Sequence, residues 1–130
     1  MGLTHSDAIE VKLVKGKGRG VFARRAFREG EVIERVPVIV IPLSEIKNSE
    51  GWVGLAGYCF LWGEGKVALA LGYGSLYNHS YKPNARYDDV GRLTKVFSAL
   101  RAIDPGEEIT VNYNGEPNDQ APTGFKVVET

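Results

Sequence analysis

The sequence is poor in the side chains that build covalent cross-links and metal centres. Cys59 is the only cysteine, and His5 and His79 are the only histidines, among 130 residues. A disulfide framework needs paired cysteines, and a structural zinc site usually needs about four Cys or His ligands. We therefore expect neither disulfides nor a metal site, and we expect a reducing compartment.

The chain also lacks an excess of either charge and any long apolar run. Its 16 basic and 16 acidic side chains give a formal net charge of zero. This balance argues against a chain built mainly to grip nucleic acid, so no direct nucleic-acid partner is expected. No apolar run is long enough to span a bilayer, and the N-terminus lacks the apolar segment of a signal peptide. We expect a soluble protein that has no membrane partner and is not secreted.

The residues that are present predict one mainly β domain over residues 1–130. A chain of this length can build one hydrophobic core but not two. Alternating or β-branched segments, among them Ala8–Val14, Val32–Val40 and Arg92–Leu100, are separated by glycine and proline turns. Ser44 is the predicted N-cap of one short helix or turn. The predicted class is mainly β, with at most one or two helical turns.

Two distant segments concentrate hydrogen-bonding and aromatic side chains. Leu71–Asn84, LGYGSLYNHSYKPN, predicts a strand that enters a tight polar turn. Glu107–Tyr113, EEITVNY, predicts a short apolar strand that ends on an aromatic hydroxyl. A third segment, Lys15–Gly20, is rich in glycine, which allows tight turns and close approach of the backbone to a ligand.

The order of these segments resembles the SET domain, a family of S-adenosylmethionine-dependent protein lysine methyltransferases. The resemblance covers roughly residues 11–115 and is similar in extent to the minimal stand-alone SET proteins of viruses and prokaryotes. Four blocks carry it: Gly18–Ile33, Gly57–Trp62 (GYCFLW), Leu71–Tyr87 and Ala99–Tyr113. It implies a β-clip-like fold of small sheets, in which the C-terminal segment forms a pseudoknot by passing beneath a loop just after Asn78-His79. That threading would bring Asn78, His79 and Tyr113 to one site.

The resemblance implies a site for S-adenosylmethionine, with S-adenosylhomocysteine as the product. Asn78 would hydrogen-bond the amino-acid end of the cofactor, and the backbone of His79 would meet the adenine edge. The residues implied to bind the cofactor are Lys17, Gly18, Arg19, Gly20, Tyr77, Asn78, His79 and Phe125. Phe125 lies in the tail 116–130, which is expected to close the substrate channel. An ordinary hairpin turn at Gly18–Gly20 and a core histidine at His79 are the alternatives.

The resemblance also implies a channel for the substrate lysine. Tyr113 corresponds to the catalytic tyrosine. Tyr58 corresponds to the aromatic residue on the opposite wall and is implied to be catalytic as well, with a packed core tyrosine as the alternative. Tyr87 and Val111 stand where relatives carry residues that limit the degree of methylation. We therefore expect mono- or dimethylation.

The implied function is transfer of a methyl group from the sulfonium of S-adenosylmethionine to a lysine ε-amine of a histone-like or other basic protein. The expected location is the nucleus for a eukaryotic or viral protein and the cytoplasm for a prokaryotic one, and a homodimer is a further expectation. A SET-fold module that binds a partner without catalysis is the alternative, and the combination of Asn78, His79 and Tyr113 argues against it. A nucleic-acid-binding β-domain has only the basic segment Lys15–Arg28 in its favour, without exposed stacking aromatics.

Overall fold

The computed structural model describes residues 7–123 and residue 129, and the predicted role of Phe125 lies outside the described residues. The described chain is mainly β, as the sequence predicts. Its strands are β1 (Ile9–Val14), β2 (Gly18–Ala23), β3 (Val32–Pro42), β4 (Lys47–Asn48), β5 (Gly51–Trp52), β6 (Cys59–Leu61), β7 (Lys66–Ala70), β8 (Asn78–His79), β9 (Ala85–Val90), β10 (Thr94–Ala99) and β11 (Glu108–Val111). None of the helices in these residues has the length and apolar character to cross a bilayer.

Within residues 7–123, the helical content is limited to two 3₁₀ segments, Leu43–Glu45 and Gly54–Tyr58. The first follows Pro42, which occupies the N-cap position in an extended conformation without a side-chain cap. The predicted N-cap at Ser44 is therefore wrong. Proline lacks an N–H and fixes its own φ, so the turn begins directly after it and Ser44 falls inside.

The first sheet joins the two segments that carry the family resemblance. Its strand order is β1-β2-β11-β8, and β8 and β11 are parallel. Thr110 lies opposite Asn78 and Val111 opposite His79, and the Ser80 amide donates to the Val111 carbonyl at 2.9 Å. This long-range pairing is the contact that the expected pseudoknot requires. It brings the Asn-His stretch beside the strand that leads to Tyr113.

The second sheet curves until its outermost strands meet. Its order is β6-β7-β3-β10-β9. The long strand β3 pairs with β10 through its first half, up to Pro37, and with β7 from Val38 onward. Although β6 and β9 are the two edges, the rings of Phe60 and Tyr87, one from each, lie 4.9 Å apart in an edge-to-face contact. Side chains from the two edges of this sheet are therefore in contact with each other.

A partly buried carboxylate anchors the segment that precedes β8. Glu34 accepts hydrogen bonds from the Tyr77 hydroxyl at 2.8 Å and from the Tyr73 amide at 3.0 Å. The Tyr77 ring stacks on Phe97 at 4.4 Å, and burial together with the Glu34 charge raises the pKa of Tyr77 well above its usual value. This anchor fixes the backbone of Tyr77, which contacts the site described next.

Candidate active site

A polar pocket of about 200 Å³ lies between the β1–β2 turn, the second 3₁₀ segment and β8. It is lined by Lys17, Gly18, Arg19, Gly57, Tyr58, Ser75, Leu76, Asn78 and Tyr113. The turn contributes the cationic side chains, and β8 contributes an amide. The structure thus brings the predicted glycine turn and the predicted Asn78 to one pocket.

A hydrogen-bond network fixes the orientation of Asn78. Its Nδ2 donates to the Arg19 carbonyl at 2.7 Å and to Glu108 Oε2 at 2.8 Å. The other oxygen of Glu108 pairs with Lys17 Nζ at 3.2 Å, and the two side chains are only 7% and 10% exposed. Because both amide protons of Asn78 are used by acceptors, its Oδ1 remains to serve as an acceptor.

Gly20 makes room for this network. A Cβ built at Gly20 would overlap Glu108 Oε2 and would lie 2.9 Å from Asn78 Nδ2. The sequence suggested that this glycine allows a ligand to approach the backbone. In the structure the space above it is used by the side chains of Glu108 and Asn78.

A second, more apolar pocket of about 490 Å³ adjoins the first. It is lined by Ala56, Gly57, Tyr58, Cys59, Phe60, Leu61, Ser75, Tyr77, Tyr87, Asp89, Tyr113, Asn114, Gly115 and Thr123. Gly57, Tyr58, Ser75 and Tyr113 line both pockets. The two predicted catalytic tyrosines therefore lie at the junction of a polar pocket and an apolar one.

Tyr113 is held by the continuous segment of residues 77–79. Its hydroxyl donates to the Tyr77 carbonyl at 2.6 Å, and its amide donates to His79 Nδ1 at 2.9 Å. Burial, and secondarily the charge of Glu108, raises the pKa of Tyr113 to about 12. The phenol is therefore neutral at physiological pH and acts as a fixed dipole instead of a base.

His79 positions the backbone of Tyr113. Its side chain is buried, and Nδ1 can accept the Tyr113 amide proton only when that nitrogen is unprotonated. Burial lowers the pKa of His79, with Glu129 opposing and Lys17 reinforcing the shift. The ring thus supports the site as a neutral acceptor, and the predicted contact between its backbone and adenine stays a prediction.

Tyr58 and Tyr87 both line the apolar pocket. Tyr58 is 49% exposed, so the alternative of a packed core tyrosine is wrong. The Tyr87 hydroxyl donates to the Tyr113 carbonyl at 3.2 Å. Burial, reinforced by Asp89 and Tyr113, raises the pKa of Tyr87 to about 12, so this phenol is also neutral at physiological pH.

The comparisons with known proteins identify the family. The sequence profile of the SET domain matches residues 18–114. The chain belongs to the SET-domain family. It is 34% identical over 106 residues to the "Histone-lysine N-methyltransferase, H3 lysine-37 specific" of Schizosaccharomyces pombe. The aligned region covers 81% of this chain and 72% of the relative. The crystal structure of a candidate histone methyltransferase from Plasmodium falciparum superposes with a TM-score of 0.69 at 29% identity, covering 83% of this chain and 94% of that one.

This SET domain is an enzyme, a protein lysine methyltransferase, and the reading as a non-catalytic module is not favoured. The family generally uses S-adenosylmethionine as the methyl donor. The expected fold of small sheets is likewise confirmed by the match to SET structures. The individual roles of the site residues are proposals, taken up below.

Two predicted residues of the SET-domain site lie mainly in the core. The Tyr77 side chain is 2% exposed and bonds Glu34, so its part in the site comes from its carbonyl oxygen. Val111 is fully buried and is absent from the residues that line the apolar pocket within the described chain. It lies on the inward face of β11 with Ile109, because alternate strand residues face the same side. Placing Val111 on the channel wall was therefore wrong.

Other residues of the site were not predicted from sequence. Glu108 sits in the Glu107–Tyr113 block, but its role appears only when β11 pairs beside β8. Phe60 lies in the GYCFLW block and could have been read as a channel residue from its neighbour Tyr58. Thr123, in the segment expected to close the channel, does line the apolar pocket. In the described part of the chain, no three His, Cys, Asp or Glu side chains are grouped as metal ligands.

Proposed function

We propose that the polar pocket binds the amino-acid end of S-adenosylmethionine and that the apolar pocket admits the side chain of a protein lysine. Tyr58 and Tyr113 would then stand where the methyl group is transferred. The observation that carries this proposal is the wall of Gly57, Tyr58, Ser75 and Tyr113 common to both pockets. A transfer reaction needs two binding sites that open onto one point, because alignment supplies much of the rate.

The residues of the polar pocket fit a ligand that carries both an ammonium and a carboxylate. Lys17 and Arg19 supply positive charge for the carboxylate. The acceptor Oδ1 of Asn78 suits the ammonium, and the Glu108 carboxylate fixes the orientation of the Asn78 amide. When bound, S-adenosylmethionine supplies a methyl group on a positively charged sulfur. The predicted contacts of His79 and Phe125 with adenine belong to the same proposal.

The apolar pocket prepares the lysine as a nucleophile. A free lysine has a pKa of roughly 10.4, and aromatic walls disfavour the charged ammonium. Tyr113 and Tyr87, each with a pKa of about 12, are protonated and cannot remove the proton. Solvent therefore takes it. Because the Tyr113 hydroxyl proton is donated to the Tyr77 carbonyl, its oxygen is left to accept a hydrogen bond from the amine and orient the lone pair.

The substrate that we propose is a histone tail or a similar basic segment. The name of the fission-yeast relative specifies lysine 37 of histone H3, which makes this site the first candidate. We infer mono- or dimethylation, since Tyr87 narrows the pocket beside Tyr113. A nuclear location in a eukaryote and self-association as a homodimer remain predictions.

The test compares two Tyr→Phe variants that each lose a hydroxyl bonded to a backbone carbonyl. Tyr113→Phe loses the bond to Tyr77, and the matched control Tyr81→Phe loses the 3.0 Å bond to Ala121 outside both pockets. Methyl transfer to recombinant histone H3 and to a peptide centred on its lysine 37 is followed by mass spectrometry. We expect kcat to fall about 100-fold in Tyr113→Phe, since one positioned hydrogen-bonding group typically contributes that much. The control should stay within about twofold of the wild type.

Calorimetric titration with S-adenosylmethionine accompanies the kinetics. Both variants should bind the cofactor, because neither loses Lys17, Asn78 or Glu108. Equal losses of kcat in the two variants would show that Tyr113 has no special role. A wild type that binds no S-adenosylmethionine, together with Asn78→Ala behaving the same, would contradict the proposed cofactor site.

A further inference from the structure

A lysine ammonium is enclosed by three aromatic rings beside the apolar pocket. Lys95 Nζ lies 4.2 Å from the centre of the Phe60 ring, 4.3 Å from Tyr87 and 5.4 Å from Trp62. It also pairs with Asp89 at 2.6 Å, and the Lys95 side chain is fully buried. This set of rings and a carboxylate is the arrangement that binds ammonium groups by cation–π attraction.

The arrangement demands an explanation because a buried lysine is unfavourable on its own. Burial lowers the pKa of Lys95, and the hydrogen bond from Lys95 to Asp89 opposes the shift. Replacing such a pair by apolar residues is often neutral or stabilising, so stability alone does not account for it. A role of Lys95 in shaping the neighbouring apolar pocket would account for its burial.

The cage spans the seam between the two edges of the curved sheet. Phe60 belongs to β6, Tyr87 and Asp89 belong to β9, and these strands are the outermost two of the five. Lys95 comes from β10 and contacts both edges, so the ammonium ties together strands that share no backbone hydrogen bonds in the sheet order. The apolar pocket is lined from the same edges, by Phe60 on one side and by Tyr87 and Asp89 on the other.

We propose that Lys95 is a positioning residue that holds this seam closed and thereby sets the width of the lysine channel. This inference rests on the proposed function of the apolar pocket. Lys95 keeps the Tyr87 ring against Phe60, from where its hydroxyl reaches the Tyr113 carbonyl at 3.2 Å. With Tyr87 held in this position, the channel has room for an amine that carries few methyl groups. Release of Tyr87 would let amines that already carry methyl groups enter more readily.

The variant that tests this is Lys95→Met. Methionine is unbranched and of similar length, and its thioether packs well against aromatic rings, but it carries no charge. Lys66→Met is the matched control, since Lys66 is an exposed lysine on β7 of the same sheet. The acceptor is the histone H3 peptide centred on lysine 37, and mass spectrometry separates the mono-, di- and trimethylated products.

In Lys95→Met the ratio of higher-methylated to monomethylated product should rise about fivefold, the factor implied by one cation–π contact. The KM for the peptide should rise by a similar factor, while the KM for S-adenosylmethionine stays unchanged. A residue that only supported the fold would lower thermal stability without moving the product ratio. An unchanged ratio and peptide KM in a folded variant would overturn the proposal.

Nuclear magnetic resonance of the wild type provides a second test that needs neither activity nor the variant. Ring currents should move the Lys95 ε-methylene resonance upfield of the other lysines, and saturating H3 peptide should shift it again. An ε-methylene that does not respond to bound peptide would overturn the inference. A wild type that transfers no methyl group but shows this response contradicts the proposed function alone.

Discussion

The substitution Gly20→Ala should disrupt the proposed cofactor pocket by adding a single methyl group. That methyl would overlap Glu108 Oε2 and would lie 2.9 Å from Asn78 Nδ2 and 3.0 Å from Val14 Cγ2. The backbone of Gly20 is not in the left-handed region, so alanine fits the local conformation. The effect therefore comes from contact with the network and not from backbone strain.

The magnitude follows from the least costly way to relieve the overlap. The end of the Glu108 side chain is flexible and can rotate away, but it then loses its hydrogen bond to Asn78 and its pairing with Lys17. Hydrogen bonds to charged groups contribute about 1.5–3 kcal/mol. Alanine returns roughly 0.5–1 kcal/mol relative to glycine inside a strand. We expect the free energy of unfolding to fall by about 1–2 kcal/mol.

The assay is a double-mutant cycle with Glu108→Ala, measured by urea denaturation and by calorimetric titration with S-adenosylmethionine. Truncating Glu108 removes the nearest of the three atoms that the new methyl meets, and it also frees Asn78 Nδ2, at 2.9 Å, to move aside. Gly20→Ala should then cost less than about 0.5 kcal/mol, giving a coupling energy of about 1–2 kcal/mol, the range seen for residues in contact. In the wild-type background the cofactor affinity should also fall about tenfold, since Asn78 loses its orientation. An equal cost of Gly20→Ala in both backgrounds would refute the reasoning.

Two further predictions concern pH. Burial lowers the pKa of His79, and only the neutral ring accepts the hydrogen bond from the Tyr113 amide. The stability that this bond contributes is therefore present above the ordinary histidine pKa of about 6.5 and is lost as pH falls through the lowered pKa. Urea midpoints measured between about pH 5 and pH 7.5 should fall with acid in the wild type and stay flatter in His79→Gln, whose amide oxygen can accept the bond without titrating. At the alkaline end, Tyr87 has its pKa raised to about 12, so its contribution is present below about pH 10, the value for a free tyrosine, and is lost as pH rises through 12. The free energy of unfolding should fall by roughly 2–3 kcal/mol at most over this pH range, and this fall should be missing in Tyr87→Phe. Identical alkaline unfolding of the wild type and Tyr87→Phe would contradict the raised pKa of Tyr87.

The strands and the family could be predicted from sequence because both depend on local patterns. β-branched and alternating segments give the strands, and the four blocks in fixed order give the SET domain. The contact between Asn78-His79 and the strand before Tyr113 was available only through the family resemblance. Parallel pairing of short, distant segments leaves no periodicity in either of them, and β8 is too short to show one.

The side-chain networks could not be predicted, because each is assembled from strands that are distant in sequence. Lys95 appears as a surface charge in a β-strand, yet it shares a strand face with the buried Phe97 and Ala99. This position in the alternation of β10 was the one signal in the sequence that Lys95 is buried. Glu108 carries no such signal, since its partners Lys17 and Asn78 come from two other strands or turns.

The two tyrosines at the pocket junction differ in how firmly the fold holds them. Tyr113 is fixed through its hydroxyl to the Tyr77 carbonyl and through its amide to His79. The Tyr77 side chain lies in the core and is in turn anchored on Glu34. Tyr58 ends a 3₁₀ segment that has no buried residue, and its side chain is half exposed. Precise orientation therefore has to come from the Tyr113 wall, while the Tyr58 wall is the one that can adapt to an incoming peptide. Tyr113 lies in the turn two residues beyond β11, and its two hydrogen bonds connect this turn to the first sheet and, through Tyr77, to the core.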